Sequence, residues 1–344
     1  MAYTTIKKPS DYFNTLLYAG NSTAGRSITG VGFAPDFLWL KDRTTQGSAH
    51  FLSDTVRGDG KWLRTNGDFA ENTDTNVITS LDSDGFTVGT DIYSNNTGDN
   101  YVAWNWLASN TTASNTDGSI TSTVSANTTS GFSIVSYTGT GSNATVGHGL
   151  GSVPKMIIVK DRSAVKNWTV YHIGVGNNKD ILLDVTNAEN TSTAWNNTTP
   201  TSSVFSIGTL GNVNTSSNNY IAYCFAEKKG YSKFGSYTGN GNSDGTFVYT
   251  GFKPAWVLIK PSSTTGSWYL FDSTRNSFNV TNSRLKVDGN EAESSNIDTL
   301  DIISNGFKLR DTNAAWNGSG TTYIYMCFAE NPFVTSTGIP ACAR

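Results

Sequence analysis

Three runs of apolar residues, each led by a proline, set the pattern of this chain: Pro35-Asp-Phe-Leu-Trp-Leu-Lys41, Pro154-Lys-Met-Ile-Ile-Val-Lys160 and Pro254-Ala-Trp-Val-Leu-Ile-Lys260. An apolar run of about six residues between turn formers predicts a central strand buried on both faces. The proline stands first, where its missing N–H does least harm to a ladder. A second set alternates instead: Tyr101-Val-Ala-Trp-Asn-Trp, Tyr220-Ile-Ala-Tyr-Cys-Phe and Tyr323-Ile-Tyr-Met-Cys-Phe. Ile221, Tyr223 and Phe225 then face one way and Tyr220, Ala222 and Cys224 the other, which is the period of a strand. Further strands are predicted over Phe132–Tyr137, Trp168–His172, Ile181–Val185 and Trp268–Phe271. Between them lie Gly, Asn, Asp, Ser and Thr clusters such as Gly239-Asn-Gly-Asn-Ser-Asp-Gly245, which is turn chemistry. No helical period is found.

These sets belong to an internal repeat. Tyr18-Ala-Gly20, Tyr137-Thr-Gly139 and Tyr237-Thr-Gly239 open it, and Gly85-Phe86, Val204-Phe205 and Gly306-Phe307 precede each closing segment. One constant interval separates the first copy from the second at all four landmarks, and a nearly constant one the second from the third. The fold class expected is therefore all-β: three tandem antiparallel β-sandwich modules of jelly-roll or lectin-like type. Module one covers residues 1–109, a Ser/Thr/Asn connector 110–117, module two 118–229, module three 230–333 and an arm 334–344. An extra edge strand within 118–125 is expected to open module two.

Composition narrows the classes. The chain has 344 residues, with 17 Phe, 15 Tyr and 9 Trp at a net charge of −3, so it can bury real cores. The mild acidity argues against nucleic acid, which needs clustered Lys and Arg. No apolar run reaches the length of a bilayer span, and the first residues lack the apolar stretch of a secretory signal. Three cysteines make no disulfide framework.

Candidate chemistry is sparse. His50, His148 and His172 have no metal-ligand spacing and read as solvated or loop histidines. Cys224 and Cys327 occupy one repeated strand position and read as small buried hydrophobes; Cys342 lies in the arm. Asp82-Ser-Asp84-Gly85 lacks the distal Glu of a calcium loop and reads as a turn. Lys41, Lys160 and Lys260 end the proline-led strands and read as solvated or snorkelling strand ends. Counted from these lysines, Trp168 and Trp268 align with each other and with Ala49, and they are assigned to packing with Trp39, Trp104, Trp106 and Trp256. Trp195-Asn196 and Trp316-Asn317 fall in loops at non-equivalent places, with Tyr93 and Asn95 as the nearest counterpart in module one. A loop Trp beside amides can stack on a sugar ring, so these six are the candidate ligand-binding residues; the other role open to them is packing at a rim or subunit interface. No catalytic residue, metal ligand or cofactor is expected.

The opening Tyr3-Thr-Thr-Ile-Lys-Lys-Pro-Ser-Asp-Tyr-Phe-Asn-Thr, the stretches Ser53-Asp-Thr-Val-Arg-Gly58, Ser83-Asp-Gly-Phe-Thr-Val-Gly89 and Ala144-Thr-Val-Gly-His-Gly-Leu-Gly151, and the ending Ala329-Glu-Asn-Pro-Phe-Val-Thr-Ser-Thr-Gly-Ile-Pro340 carry a likeness over nearly the whole chain. It resembles repeat proteins of marine bacteriophage particles, often labelled tail or fibre proteins. That resemblance implies a non-enzymatic virion structural protein with a lectin-like sandwich, outside the particle, made in the host cytoplasm. The expected role is a tail or fibre component that contributes to attachment to host-surface glycan. A capsid decoration or head-fibre protein is the alternative, and a polysaccharide depolymerase stands behind both. Expected partners are other virion proteins and host glycan, with no nucleic acid and no membrane insertion. A homo-oligomer is expected, with a trimer among the options.

Overall fold

The computed structural model describes residues 4–334. It is built almost wholly of antiparallel strands, and its two α-helices, Ile92–Asn95 and Gly211–Asn214, are single turns. Three large sheets repeat one order. An opening strand (Phe13–Ala19, Phe132–Thr138, Ser232–Thr238) pairs with the closing strand (Asn100–Trp106, Asn219–Ala226, Thr322–Pro332). The closing strand pairs with the proline-led strand (Phe37–Asp42, Pro154–Asp161, Phe252–Pro261). Next come a fourth strand (His50–Asp54, Thr169–His172, Tyr269–Asp272) and a fifth (Lys61–Arg64, Lys179–Leu182, Leu285–Lys286). A smaller sheet of two or three strands covers each large one, making an all-β sandwich. The second large sheet is extended by Ser122–Asn127 and then by Ala113–Asn115, so the stretch expected to be a plain connector carries a short strand of its own.

The proline-led run is apolar throughout because its sheet is a middle layer. Leu38 and Leu40 face inward against the small sheet, as do Ile157 and Val159 in the second copy and Val257 and Ile259 in the third. Phe37 and Trp39, Met156 and Ile158, Trp256 and Leu258 point the other way, into one core shared by all three sheets. The closing strands split the same way, with Trp104 and Trp106, Tyr223 and Phe225, Met326 and Phe328 in the shared core. Each module therefore has its own interior, and a fourth apolar core lies where the modules meet. Trp106, Phe13, Trp256 and Phe328 pack there with ring centroids 4.7 to 6.3 Å apart.

The modules close into a ring. The backbone N–H of Gly47 donates to Asn290 O, that of Lys166 to Asp68 O and that of Gly266 to Thr186 O, at 2.8 to 2.9 Å. In the opposite sense Glu71, Glu189 and Glu293 donate to the carbonyls of Arg162, Ser262 and Arg43. A third set uses rings: Trp168 Nε1 to Arg64 O (2.7 Å), Trp268 Nε1 to Leu182 O (2.8 Å) and His50 Nε2 to Lys286 O (2.9 Å). Each set joins first to third, second to first and third to second module, which is a pseudo-threefold cycle. It also corrects the alignment expected for the Trp pair: their counterpart is His50, not Ala49. Phe51 pairs with Arg64 as Thr169 does with Leu182 and Tyr269 with Lys286, so one extra residue follows Lys41 in module one.

Within each module one clasp recurs. The hydroxyls of Tyr18, Tyr137 and Tyr237 donate to the carbonyls of Ser94, Val213 and Trp316 at 2.7 to 2.8 Å. The tyrosine opening each closing strand (Tyr101, Tyr220, Tyr323) donates to Ile92 O, Gly211 O and Ala314 O and accepts from the N–H of Asn96, Thr215 and Gly318. Glycine follows two residues after each opening tyrosine for a steric reason. A Cβ on Gly20, Gly139 or Gly239 would collide with the backbone carbonyl of Asn96, Thr215 or Gly318.

Two expectations about polar residues are overturned. Lys41, Lys160 and Lys260 are not solvated strand ends: all three are fully buried. Their ammonium groups donate to backbone carbonyls, Lys41 to Asp42 and Ser48, Lys160 to Asp161 and Ala164, Lys260 to Thr186, Asn187 and Gly266. Burial lowers each to about 8. A buried charge is tolerable only when hydrogen-bonded, and these lysines satisfy turn carbonyls that the ladders leave open. The histidines are buried too. His148 Nδ1 accepts from Leu150 N (3.2 Å) while Nε2 meets Thr201 O (3.2 Å). His50 and His172 are placed at module junctions.

Candidate functional site

The six residues picked from sequence do not form one site. Trp195 is 1% exposed and packs edge-on to Tyr171 at 5.7 Å inside the second sandwich. Trp316 is equally buried, edge-on to Tyr269 at 5.2 Å. Neither offers a face to a sugar, so the loop-Trp platform is withdrawn; the apolar rings are worth more inside. Asn196 is exposed beside Trp195 and holds a left-handed turn (φ 49°), a conformation Asn tolerates better than most residues. Asn95 and Asn317 are structural. Asn95 Nδ2 donates to Thr23 O and Gly89 O, both at 2.9 Å, and Oδ1 accepts from Asn21 N. Asn317 binds Asn242 O and Asp311 O in the same way. Asn214 does so in module two, where it holds Ser142 O and Gly208 O, and sequence reading missed it. Of the six, Tyr93, half-buried, reaches a concave surface, one it shares with Thr45, Gln46 and Ile92.

Three other concave surfaces are equivalent, one to each module. Each lies on the fifth strand of a module and under the loop that follows it. In module one the cleft is about 200 Å³ and is lined by Trp62, Arg64, Phe69, Ala70, Glu71 and Asn72. In module two it is about 380 Å³, with Asp180, Leu182, Asn187, Ala188 and Asn190 at the matching places and Asn212 on the rim. In module three it is about 520 Å³, with Arg284, Lys286, Glu291, Ala292, Glu293 and Ser294. Strand register makes Trp62, Asp180 and Arg284 equivalent, and likewise Arg64, Leu182 and Lys286. Each cleft sits beside a junction; in the third, Gln46 of module one completes the wall.

The three linings differ in charge. In the first, Arg64 is ringed by Trp62, Phe69, Phe51 and Tyr93, its guanidinium carbon 4.9 to 5.9 Å from their centroids. Glu71 is engaged elsewhere, accepting from Arg162 Nε and Nη2 (both 2.9 Å) and facing Arg57 at 3.4 Å. In the second, burial raises the Asp180 carboxyl above its ordinary range, and the neighbours are amides and Leu182. In the third, Arg284 lies over the Trp316 ring (5.5 Å) and donates to Asn296 (2.6 Å), while Lys286 pairs with Glu291 at 2.6 Å. Sequence reading missed these clefts because the strand positions beneath them change type from copy to copy, although Ala70, Ala188 and Ala292 recur in the loop above.

The cysteines and histidines among the described residues are buried and held in their neutral forms. Cys224 and Cys327 are buried, and burial pushes both thiols far up, away from the thiolate that reacts. Burial lowers all three histidines, His172 to about 4, keeping them neutral. Among the described residues no group of three or more His, Cys, Asp or Glu is placed to hold a metal ion.

Fold and clefts together define a class: a single-chain, pseudo-threefold β-sandwich protein with three equivalent surface clefts of unlike chemistry. The chain belongs to the DUF7483 family, a domain of unknown function, whose model matches residues 8–332. No curated protein and no solved structure matches it.

Proposed function

We propose that this protein is a non-catalytic binding protein that engages surface polysaccharide through its three clefts. The observation that carries this reading is the contrast between frame and cleft. The tyrosine clasps, buried lysines and junction hydrogen bonds recur in all three copies. The cleft positions instead hold Trp, Asp and Arg, or Arg, Leu and Lys, at equivalent points. A closed ring fixes the distances between clefts. Individually weak sites on one rigid body can then reinforce one another on a repetitive polymer. The setting proposed from the motif resemblance is the exterior of a bacteriophage particle, as a tail or fibre component held by other virion proteins. Binding on a glycan array, reduced stepwise as Phe69, Asn187 and Arg284 are changed singly and then together to Ala, is the expected result. An array with no bound saccharide overturns it.

A second reading, decoration of the capsid, is favoured by the pseudo-threefold cycle, because such a body matches a site of threefold symmetry. Copy number in purified particles distinguishes the two: hundreds on the head or few at the tail.

A further inference from the structure

Resting on the glycan-binding reading, the geometry points to the module-one cleft as a site for a carboxylated sugar, with Arg64 holding the carboxylate and Phe69 the ring face. Arg64 is a cation without an acid. Among the described residues no side chain accepts from its guanidinium, and its buried Nε–H has no partner. By contrast the junction arginines Arg43, Arg57, Arg162 and Arg275 are each paired with Asp or Glu. The nearby Glu71 does not supply the missing charge, since Arg162 and Arg57 already neutralise it.

Four aromatic rings hold the guanidinium in place. That arrangement keeps a planar fork of donors oriented before any ligand arrives, and a fork matches a carboxylate in two parallel hydrogen bonds. Phe69 is 53% exposed although it lines the cleft. An apolar ring left in water beside a free cation suits a pyranose, which offers an apolar face and an acidic group at its edge. The other two clefts lack this pairing. Leu182 replaces the cation in the second; in the third Lys286 is held by Glu291, and Arg284, though also without an acid, lies over the buried Trp316 and donates to Asn296, so no exposed ring stands beside it.

The test uses the full chain on a panel of uronic-acid and sialic-acid oligosaccharides, each printed beside its methyl ester, with affinities of the hits measured by calorimetry. The acids should bind at least about tenfold more tightly than their esters, since the ester loses a charge-assisted pair, and the preference should shrink as salt is raised. Arg64→Gln should bring acid and ester to equal affinity, and Phe69→Ala should weaken both. Should Arg64→Gln lower the melting temperature too far for use, Phe69→Ala, at an exposed ring, still reports on the cleft. Equal binding of acid and ester, or an acid preference that survives Arg64→Gln and disappears with Arg284→Gln, overturns the inference and leaves the glycan reading standing. No binding to any saccharide, charged or neutral, removes both.

Discussion

Replacing His172 with Gln should change how stability depends on pH, and the direction can be worked out from two hydrogen bonds. His172 is 1% exposed where the second module meets the third. Its Nδ1 faces the N–H of Gly174 (3.0 Å), so that nitrogen must accept; its Nε2 then donates to Tyr325 O (3.1 Å). The ring is held neutral, and burial lowers it to about 4 from the ordinary 6.5. Between those values the unfolded chain binds a proton that the folded chain refuses. Stability is therefore lost as pH falls from 6.5 to 4 and rises again in the opposite direction. At about 1.4 kcal/mol per pH unit, the loss reaches about 3 kcal/mol. Asp184 works against it. Burial raises that carboxyl to about 6 from 3.8, so the folded chain takes up the proton first and gains stability as pH falls across that window. His50 and His148, also lowered by burial, add to the loss, and Asp36, Asp180 and Asp288, raised by burial, add to the gain, so the wild-type curve alone does not isolate His172. The comparison with His172→Gln does. Urea unfolding at pH 7 and pH 4.5 should show the wild-type advantage over the variant shrinking by about 2.5 kcal/mol at the lower pH. An advantage that is the same at both values would mean that His172 is not held neutral at the junction, and the hydrogen-bond reading would be wrong.

Three further outcomes follow from buried groups. Lys160 is lowered to about 8 from 10.5, so the folded chain releases its proton first as pH rises; the stability difference between wild type and Lys160→Met should grow by about 2 kcal/mol from pH 7.5 to 9.5 in urea titrations. Trp195→Ala should cost about 3 to 5 kcal/mol by the same assay, as a fully buried ring does, and leave the saccharide profile of the folded protein unchanged. Asn214→Ala should cost about 3 kcal/mol in thermal unfolding, since it orphans the carbonyls of Ser142 and Gly208, whereas the exposed Asn196→Ala should cost under about 1 kcal/mol.

What could be read from sequence was whatever the pleat imposes. Two-sided burial writes a continuous apolar run, as at Met156 to Val159, and a strand between unlike neighbours writes alternation, as at Tyr220 to Phe225; both strands stand where the pattern put them. The same pattern carried a clue to the shared core. A sandwich with one wet face has no use for Trp39, Trp104 and Trp106 on the side away from its own interior, and they face the other two modules. Polar residues were misread because burial of a polar group depends on partners, and partners are set by the tertiary fold. Lys41, Lys160 and Lys260 find theirs in turn carbonyls, and His50 finds its own in Lys286 O, a residue more than two hundred positions away. The Trp168 and Trp268 indoles do the same job as His50, but the extra residue after Lys41 shifts a count from that lysine by one and pointed to Ala49 instead.

The clefts were hidden for a related reason, and that reason bears on function. Positions that make the frame are held by constraints common to all three copies: a tyrosine must reach a carbonyl, a glycine must clear one. The strand positions in a cleft wall answer to no such common constraint, so the residues at Trp62, Asp180 and Arg284 share a place in the ladder and nothing else. Comparison of the copies by residue type therefore detects the scaffold and passes over the variable surface. Had a single identical subunit been assembled as a trimer, its three clefts would have to carry one lining. Joining the copies in one chain lets each cleft bear its own charge while the ring keeps them in fixed relation. A three-part body of this kind can meet a polymer whose successive groups differ, with Arg64 free for an acid, Lys286 already paired, and Leu182 presenting no charge at all.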